Sequence, residues 1–354
     1  MRKPAWALLL AGVVWGQNRA LIPNRELIPA YTRVVQLMES TGAVVPALAR
    51  AGAPVVENAR QTVSNLRSGT LNPQDSGVHY AFLGHLRAYL SLADVLPKPQ
   101  PFPQEGYRQF QELRENVDRL EAHFRALLEL KEAQLRNPDR DNLRRYADAN
   151  AKLPPLDPKR PRVLFLGDSI TDGWRLNEYF PERDFLNRGI GGQITGQMLG
   201  RMKADVLDSK PAAMLVLAGT NDIARGVPVE AIENNLAMIA DLAAAHQVKP
   251  LFASILPIHD YHKDRDPSYL RSTQRPMATI RALNDWLAAF CKQRNYIYVD
   301  YFSALVDDTG FLKEDLADDG LHPNPAGYRV MAPLALAAVE KALAPPAKQQ
   351  KRRR

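Results

Sequence analysis

Only one cysteine, Cys291, occurs in these 354 residues. No intramolecular disulfide can form, so the folded chain must be held by its core alone. Long hydrophobic runs are also missing. The apolar stretch from Pro4 to Trp15 falls short of the roughly 20 residues that a membrane-crossing helix needs. The glycine cluster at Gly189, Gly191 and Gly192 lacks both the Gly-Lys-Ser and the Gly-x-Gly-x-x-Gly spacing, which removes the phosphate-loop reading. His79, His85 and His123 lie in helical pattern without metal-ligand spacing. Ordinary packing or surface roles are expected for them, with neither metal nor cofactor.

What is present is a globular composition, 45% apolar and 24% charged, long enough for one large domain or two. Met1-Arg2-Lys3 followed by the Pro4–Trp15 segment reads as a signal peptide over residues 1–16. The expected mature protein is exported, periplasmic or secreted, with no stable membrane insertion after cleavage. The net charge of +7 overstates how basic the folded body is, because Lys348, Lys351 and Arg352 to Arg354 crowd the end of the chain. Residues 345–354 are expected to form a solvated tail, and no nucleic-acid partner is implied.

Residues 27–150 carry helical periodicity and almost no strand signal. Tyr80, Leu83, Leu86 and Leu90 share one face, while Phe110, Leu113, Val117, Leu120, Phe124 and Leu127 repeat at alternating steps of three and four. Such patterns predict antiparallel helices packed on neighbours, separated by the prolines at 97, 99, 101 and 103. No chemistry is visible in this region. A proline-rich stretch over residues 151–161 reads as a linker to a second domain over residues 162–344.

There the pattern changes. Val163–Leu166, a run beginning at Asp184, Ala213–Ala218, Leu251–Leu256 and Tyr296–Val299 predict five buried strands. Amphipathic segments alternate with them, around Val229–Leu242 and Met277–Cys291. This alternation predicts a parallel sheet covered on both faces. Polar clusters follow the carboxyl ends of the strands, where open α/β sheets keep their ligands: Gly167-Asp168-Ser169 after the first and Gly219-Thr220-Asn221-Asp222 after the third. The loop from Pro257 to Leu270, with Tyr261, His262 and Tyr269, is a candidate specificity loop. Near the end, Asp319-Gly320-Leu321-His322 precedes a helix that Pro325 can open. An Asp-x-x-His spacing lets a carboxylate sit against an imidazole, the pair that a strand-end serine requires for nucleophilic chemistry.

Four separated blocks, Gly167-Asp168-Ser169, the Asn187–Gly192 turn, Gly219–Asp222 and Asp319–His322, stand in the order found in SGNH hydrolases. The chain from about Arg162 to Leu343 thus resembles the GDSL esterase/lipase family. Gln193 departs from that pattern, standing where many members have Asp, and the N-terminal helical region falls outside the resemblance. The resemblance implies a flavodoxin-like three-layer α/β/α sandwich with a five-stranded parallel sheet. It also implies Ser169 as nucleophile, His322 as general base and acid, and Asp319 as the group orienting the imidazole, with Asp318 as its neighbouring alternative. The implied oxyanion donors are the backbone amides of Ser169 and Gly192 and the side-chain amide of Asn221. The Gly-x-Ser-x-Gly elbow of α/β-hydrolases is absent.

The expected reaction is therefore ester hydrolysis through an acyl-serine, on a small-molecule or glycan ester. Short acyl esters such as acetylated carbohydrate are favoured, with Trp174, Tyr261, His262 and Tyr269 as candidate sugar surfaces. Trp174 has a second reading, as core beneath the first helix. The alternatives are a lysophospholipase- or thioesterase-like acyl hydrolase and a non-catalytic binding protein on the same fold. The oligomeric state is left open.

Overall fold

The structure is a computed structural model that describes residues 21–73, 75–97, 103–266 and 269–345. The expected signal peptide, residues 346–354 of the basic tail, and Pro99 and Pro101 lie outside those ranges. The chain forms two compact units, divided between Pro138 and Asp139.

Among its described residues the first unit contains four helices: α1 (Asn24–Val44), α2 (Pro46–Arg67), α3 (Ser76–Val95) and α4 (Gln104–Arg136). A proline disfavours helical geometry in the residue before it yet suits the first helical turn, so Pro46 ends α1 and opens α2. Asp75 starts α3 by accepting a hydrogen bond from the Gly77 amide at 2.7 Å. The helices bury Leu27, Val34, Leu48, Phe82, Leu86 and Leu113 in one core. In α4 the alternating stripe faces inward through Phe110, Leu113, Val117 and Leu120. The stripe of α3 is rotated from the expected one. Tyr80 is 67% exposed, and the buried face runs through His79, Phe82, Leu83, Leu86 and Tyr89. Substituting 79 for 80 at its start gives the i, i+3, i+4, i+7 spacing that a single helical face requires. None of the helices among the described residues is long and apolar enough to cross a membrane.

The second unit is built on five parallel strands: β1 (Val163–Gly167), β2 (Phe185–Gly189), β3 (Ala213–Leu217), β4 (Lys249–Ala253) and β5 (Ile297–Val299). Their spatial order is β2-β1-β3-β4-β5. All pairs are parallel, with Leu164 opposite Leu186 on one side and Met214 on the other. Alternate residues of each strand point to opposite faces, and both faces are buried. Val163, Phe165, Leu215 and Val299 pack with α7 (Pro325–Leu343) through Met331 and Ala335. Leu164, Leu166, Val216 and Phe252 pack with α5 (Val229–Ala245) and α6 (Met277–Arg294) through Ile232, Leu236, Ile280 and Leu283. The result is the three-layer α/β/α sandwich. The crossovers leave β1 and β3 in opposite directions, towards β2 and β4. This switch point is where ligands gather in such sheets, and Ser169 and Asn221 stand at it.

The boundary differs from the expected linker over residues 151–161. The α/β unit begins at Asp139, and its leading residues are held by side-chain hydrogen bonds. Asn150 bonds Asp205 and Arg188, and Arg162 bonds the Pro154 carbonyl at 2.9 Å.

Candidate active site

The chain turns sharply out of β1. Asp168 caps a single helical turn, Ser169–Asp172, accepting from the Ile170 amide at 3.0 Å. That turn lifts Ser169 to the carboxyl edge of the sheet. On the far side of β1, Gly189 permits the close approach of this turn: a Cβ there would lie 2.1 Å from the Asp172 nitrogen. Asn187 secures the same corner, donating from Nδ2 to the Trp174 carbonyl at 2.9 Å and accepting from the Gly189 amide at 2.8 Å.

Ser169 Oγ lies 2.9 Å from His322 Nε2, and His322 Nδ1 lies 2.7 Å from Asp319 Oδ2. Both distances are hydrogen bonds. The Asp-Gly-Leu-His spacing works because Asp319 folds its own loop: Oδ1 accepts from the Leu321 and His322 amides at 3.0 and 2.8 Å. Oδ2 is left for the imidazole. Burial opposes the charge on Asp319, but hydrogen bonds from His322 and the nearby Arg271 guanidinium prevail and hold the carboxyl well below its usual range. Asp318 accepts instead from Asn324 Nδ2 at 3.0 Å, so Asp319 is the carboxylate against the imidazole. The His322 side chain is 41% exposed, open to a substrate.

The glycine turn passes beside the serine, where a Cβ on Gly191 would lie 3.8 Å from the Ser169 Cβ. Gly192 has φ of +79°, a conformation that costs glycine little and other residues more. Asn221 is tied to this turn by its Nδ2, which donates to the Gln193 carbonyl at 3.1 Å. Its Oδ1 faces Arg275 Nη2 at 3.4 Å, while Arg275 Nε donates to Thr220 Oγ1 at 3.1 Å. Burial lowers Arg275 to about 10, so it remains cationic at neutral pH and orients the Asn221 amide with its nitrogen towards the turn. Chemically, the arrangement offers an activatable hydroxyl, an imidazole held in one tautomer by a carboxylate, and amide donors at the same edge.

The candidate sugar surfaces divide. Trp174 is 2% exposed and stacks on Tyr328, with ring centroids 5.3 Å apart, and edge-on to Phe165. It belongs to the core beneath Ser169 and offers no face to a ligand. Tyr261 is also buried: its ring stacks on His259 and its hydroxyl donates to the Ala317 carbonyl. Packing claims both aromatics because the short helix and the loop after β4 must bury something against the sheet. His262 and Tyr269 remain half-exposed and meet edge to face at 5.5 Å. Their loop is stitched to the Asp319–His322 loop, since the His259 amide donates to the Gly320 carbonyl at 2.9 Å.

Two arginines that the sequence reading did not single out are part of the site. Arg271 Nη2 reaches Asp319 Oδ2 at 3.2 Å, and its Nε donates to the Asp319 carbonyl at 3.1 Å. Arg275 backs Asn221. Nothing in the sequence distinguishes them from the other basic residues except their place after a strand-end loop. Among the described residues, no group of three or more His, Cys, Asp or Glu is arranged to hold a metal.

Residues 165–330 match the GDSL-like Lipase/Acylhydrolase family. A solved structure of a putative acylhydrolase from Bacteroides fragilis is 33% identical, covers 58% of this chain and 98% of its own, and superposes with a TM-score of 0.53. An uncharacterized lipoprotein, YqeF, of Bacillus subtilis is 28% identical over 207 residues, 48% of this chain and 85% of its own. An acetylxylan esterase of Geobacillus stearothermophilus is 23% identical over 205 residues, 48% of this chain and 90% of its own.

Proposed function

Because this chain belongs to the GDSL-like lipase/acylhydrolase family and is an ester hydrolase, we propose that it is exported and cleaves short acyl esters through an acyl-serine on Ser169. The observation that carries this reading is the continuous hydrogen-bonded line from Ser169 Oγ through His322 to Asp319 Oδ2. A serine hydroxyl is a weak nucleophile until a base takes its proton, and the unperturbed imidazole pKa of about 6.5 suits that task near neutral pH. As Oγ attacks the ester carbonyl, Nε2 accepts the proton. Asp319 steadies the imidazolium, and the proton passes to the departing alcohol. Water then repeats the sequence on the acyl-serine. The developing oxyanion is met by the amides of Ser169 and Gly192 and by Asn221 Nδ2.

Acetylated carbohydrate is the substrate class we favour. The acetylxylan esterase relative supports it, as do His262 and Tyr269 in the loop beside His322. Export is supported by the basic and then apolar residues 1–16 and by the lipoprotein relative.

Hydrolysis of p-nitrophenyl acetate and of longer-chain esters by the mature protein, beside Ser169→Ala, tests the proposal. Acetate should be cleaved fastest, and Ser169→Ala should lower kcat by at least about 1000-fold. Retained activity in Ser169→Ala would remove the acyl-serine. A preference for long chains would move the substrate class to lipids or acyl thioesters.

A further inference from the structure

Gln193, the residue that follows the glycine turn, uses every polar atom it has. Its amide donates to the Ile190 carbonyl at 3.2 Å, and its own carbonyl accepts from Asn221 Nδ2. Its side chain is equally committed. Oε1 accepts from Arg201 Nε at 2.6 Å, and Nε2 donates to the Asp141 carbonyl at 3.0 Å and to Asn142 Oδ1 at 3.2 Å. Gln193 is 2% exposed. Asp141 and Asn142 lie upstream of the matched family region, in the segment that leads into the α/β unit.

That segment grips the glycine turn and the residues that follow it at five further points. The Arg140 carbonyl accepts from Gln197 Nε2 at 2.7 Å, and the Tyr146 hydroxyl donates to the Gly189 carbonyl. The Arg188 guanidinium lies 4.7 Å over the Tyr146 ring, and its Nη2 donates to Asn150 Oδ1 at 2.7 Å. Asn150 Nδ2 in turn donates to Asp205 Oδ1 at 2.7 Å. Asp205 pairs with Arg201 at 3.1 Å, both side chains wholly buried, and Arg201 Nη2 bonds the carbonyls of Gly167 and Arg188 at the ends of β1 and β2. The ring of bonds closes on Gln193 through Arg201.

We propose that residues 140–150 are a positioning strap for the oxyanion turn, with Gln193 as the clasp that joins strap to turn. The inference rests on the reading that Gly192 and Asn221 receive the oxyanion. Gln193 follows Gly192 directly and holds Asn221 by its backbone carbonyl. Fixing its side chain therefore fixes both donors at once. The same geometry disfavours a carboxylate of either length at this position. A carboxylate has no N–H for the Asp141 carbonyl and the Asn142 oxygen, and would be set against two acceptors. Gln193 and the strap are two halves of one device. Tyr146, Asn150 and Arg201 are positioning residues in it, since none of them meets the reacting atoms.

The test uses the full chain with Gln193→Glu and Tyr146→Phe. Gln193→Glu keeps the acceptor for Arg201 and loses the donor to the strap, while Tyr146→Phe keeps the ring under Arg188 and loses one bond to the turn. Steady-state hydrolysis of p-nitrophenyl acetate is measured below each variant's unfolding midpoint, together with inhibition by methylboronic acid, a tetrahedral mimic that places oxygen in the oxyanion position. Small displacements of preorganised groups lower turnover steeply, so Gln193→Glu should lose about 10-fold to 100-fold in kcat. KM should change little, boronate affinity should fall with kcat, and Tyr146→Phe should lose less in the same ratio. Folded variants whose kcat and boronate affinity stay within about 2-fold of wild type, with only the midpoint lowered, would overturn the proposal. Should Gln193→Glu fail to fold, Asn142→Ala removes one strap acceptor and is judged by the same two readouts. Ser169→Ala separates the layers. If it retains activity, the acyl-serine reading and the strap fall together; if it is inert while the strap variants are unaffected, the strap alone falls.

Discussion

In the helical unit, His79 and His123 lie side by side in the core, ring centroids 5.2 Å apart, and burial lowers the pKa of both, bringing His79 down to about 4. The Tyr31 hydroxyl bonds His79, and the Ile22 amide donates to His123 at 3.1 Å. In the α/β unit, Arg201, Asp205 and Gln193 are held in linked bonds beside the glycine turn, and Asp319 is held separately by Arg271 and His322. Both units bury polar groups. What separates them is that parallel strands bring the ends of distant segments to a common edge, where polar groups can meet a ligand. Helices whose stripes all face inward use their polar groups within the core.

The sharpest way to break the comparison is to make a cavity in each core. Phe82→Ala in the helical core and Trp174→Ala beneath Ser169 should each cost about 3–5 kcal/mol. Only Trp174→Ala should also depress esterase activity at temperatures where the protein is folded, because it removes the surface on which the Ser169 turn and Tyr328 rest. Hydrogen exchange resolved by peptide, alongside initial rates, checks this. Equal loss of activity in Phe82→Ala would mean that the helical unit supports the site after all.

Acid should sharpen the comparison. His79 is about 4 when folded and near 6.5 when unfolded, so the unfolded chain binds more protons between those values. The stability that neutral His79 permits is full above pH 6.5 and falls as pH drops towards 4, by on the order of 3 kcal/mol. Peptides from α3 should lose exchange protection over that window, and His79→Gln should flatten the loss. Unchanged protection in wild type would place the imidazole in contact with water.

These contrasts were unequally legible in the sequence. The strands could be read because each is a short apolar run closed by a polar turn. The Ser169, Asn221 and Asp319–His322 positions could be read because parallel topology makes a strand end and a site nearly synonymous. Trp174 could not be assigned, because what covers it is Tyr328, far along the chain. Residues 140–150 looked like part of a helical region running into a linker. Their partners, Gln193, Arg188 and Asp205, are brought to them only by the fold, and polar residues in an irregular segment carry no periodicity. His79 was visible as a helical residue, but its neighbour His123 lies on another helix, and pairing between helices leaves no local trace.

The smallest predicted effect runs against the acid response of the helical unit. Asp168 is wholly buried, and burial raises its carboxyl to about 6, only partly offset by the hydrogen bond from the Ile170 amide. The unfolded value is near 3.9, so here the folded chain binds more protons between about 4 and 6. Stability from this group therefore falls as pH rises through that window and is lowest above it. Asp222, also raised by burial, acts in the same sense. Asp319, held low, acts oppositely, but only below its unfolded value, so the windows separate. Asp168→Asn keeps an acceptor for Ile170 and removes the buried charge. It should stabilise the α/β unit by about 1–2 kcal/mol at pH 8 and flatten its dependence between pH 4 and 6. Exchange protection of β1 peptides at pH 5 and pH 8 reads both. If Asp168→Asn is destabilised at pH 8 instead, the attraction of the Arg275 cation for the buried carboxylate outweighs the cost of burying its charge.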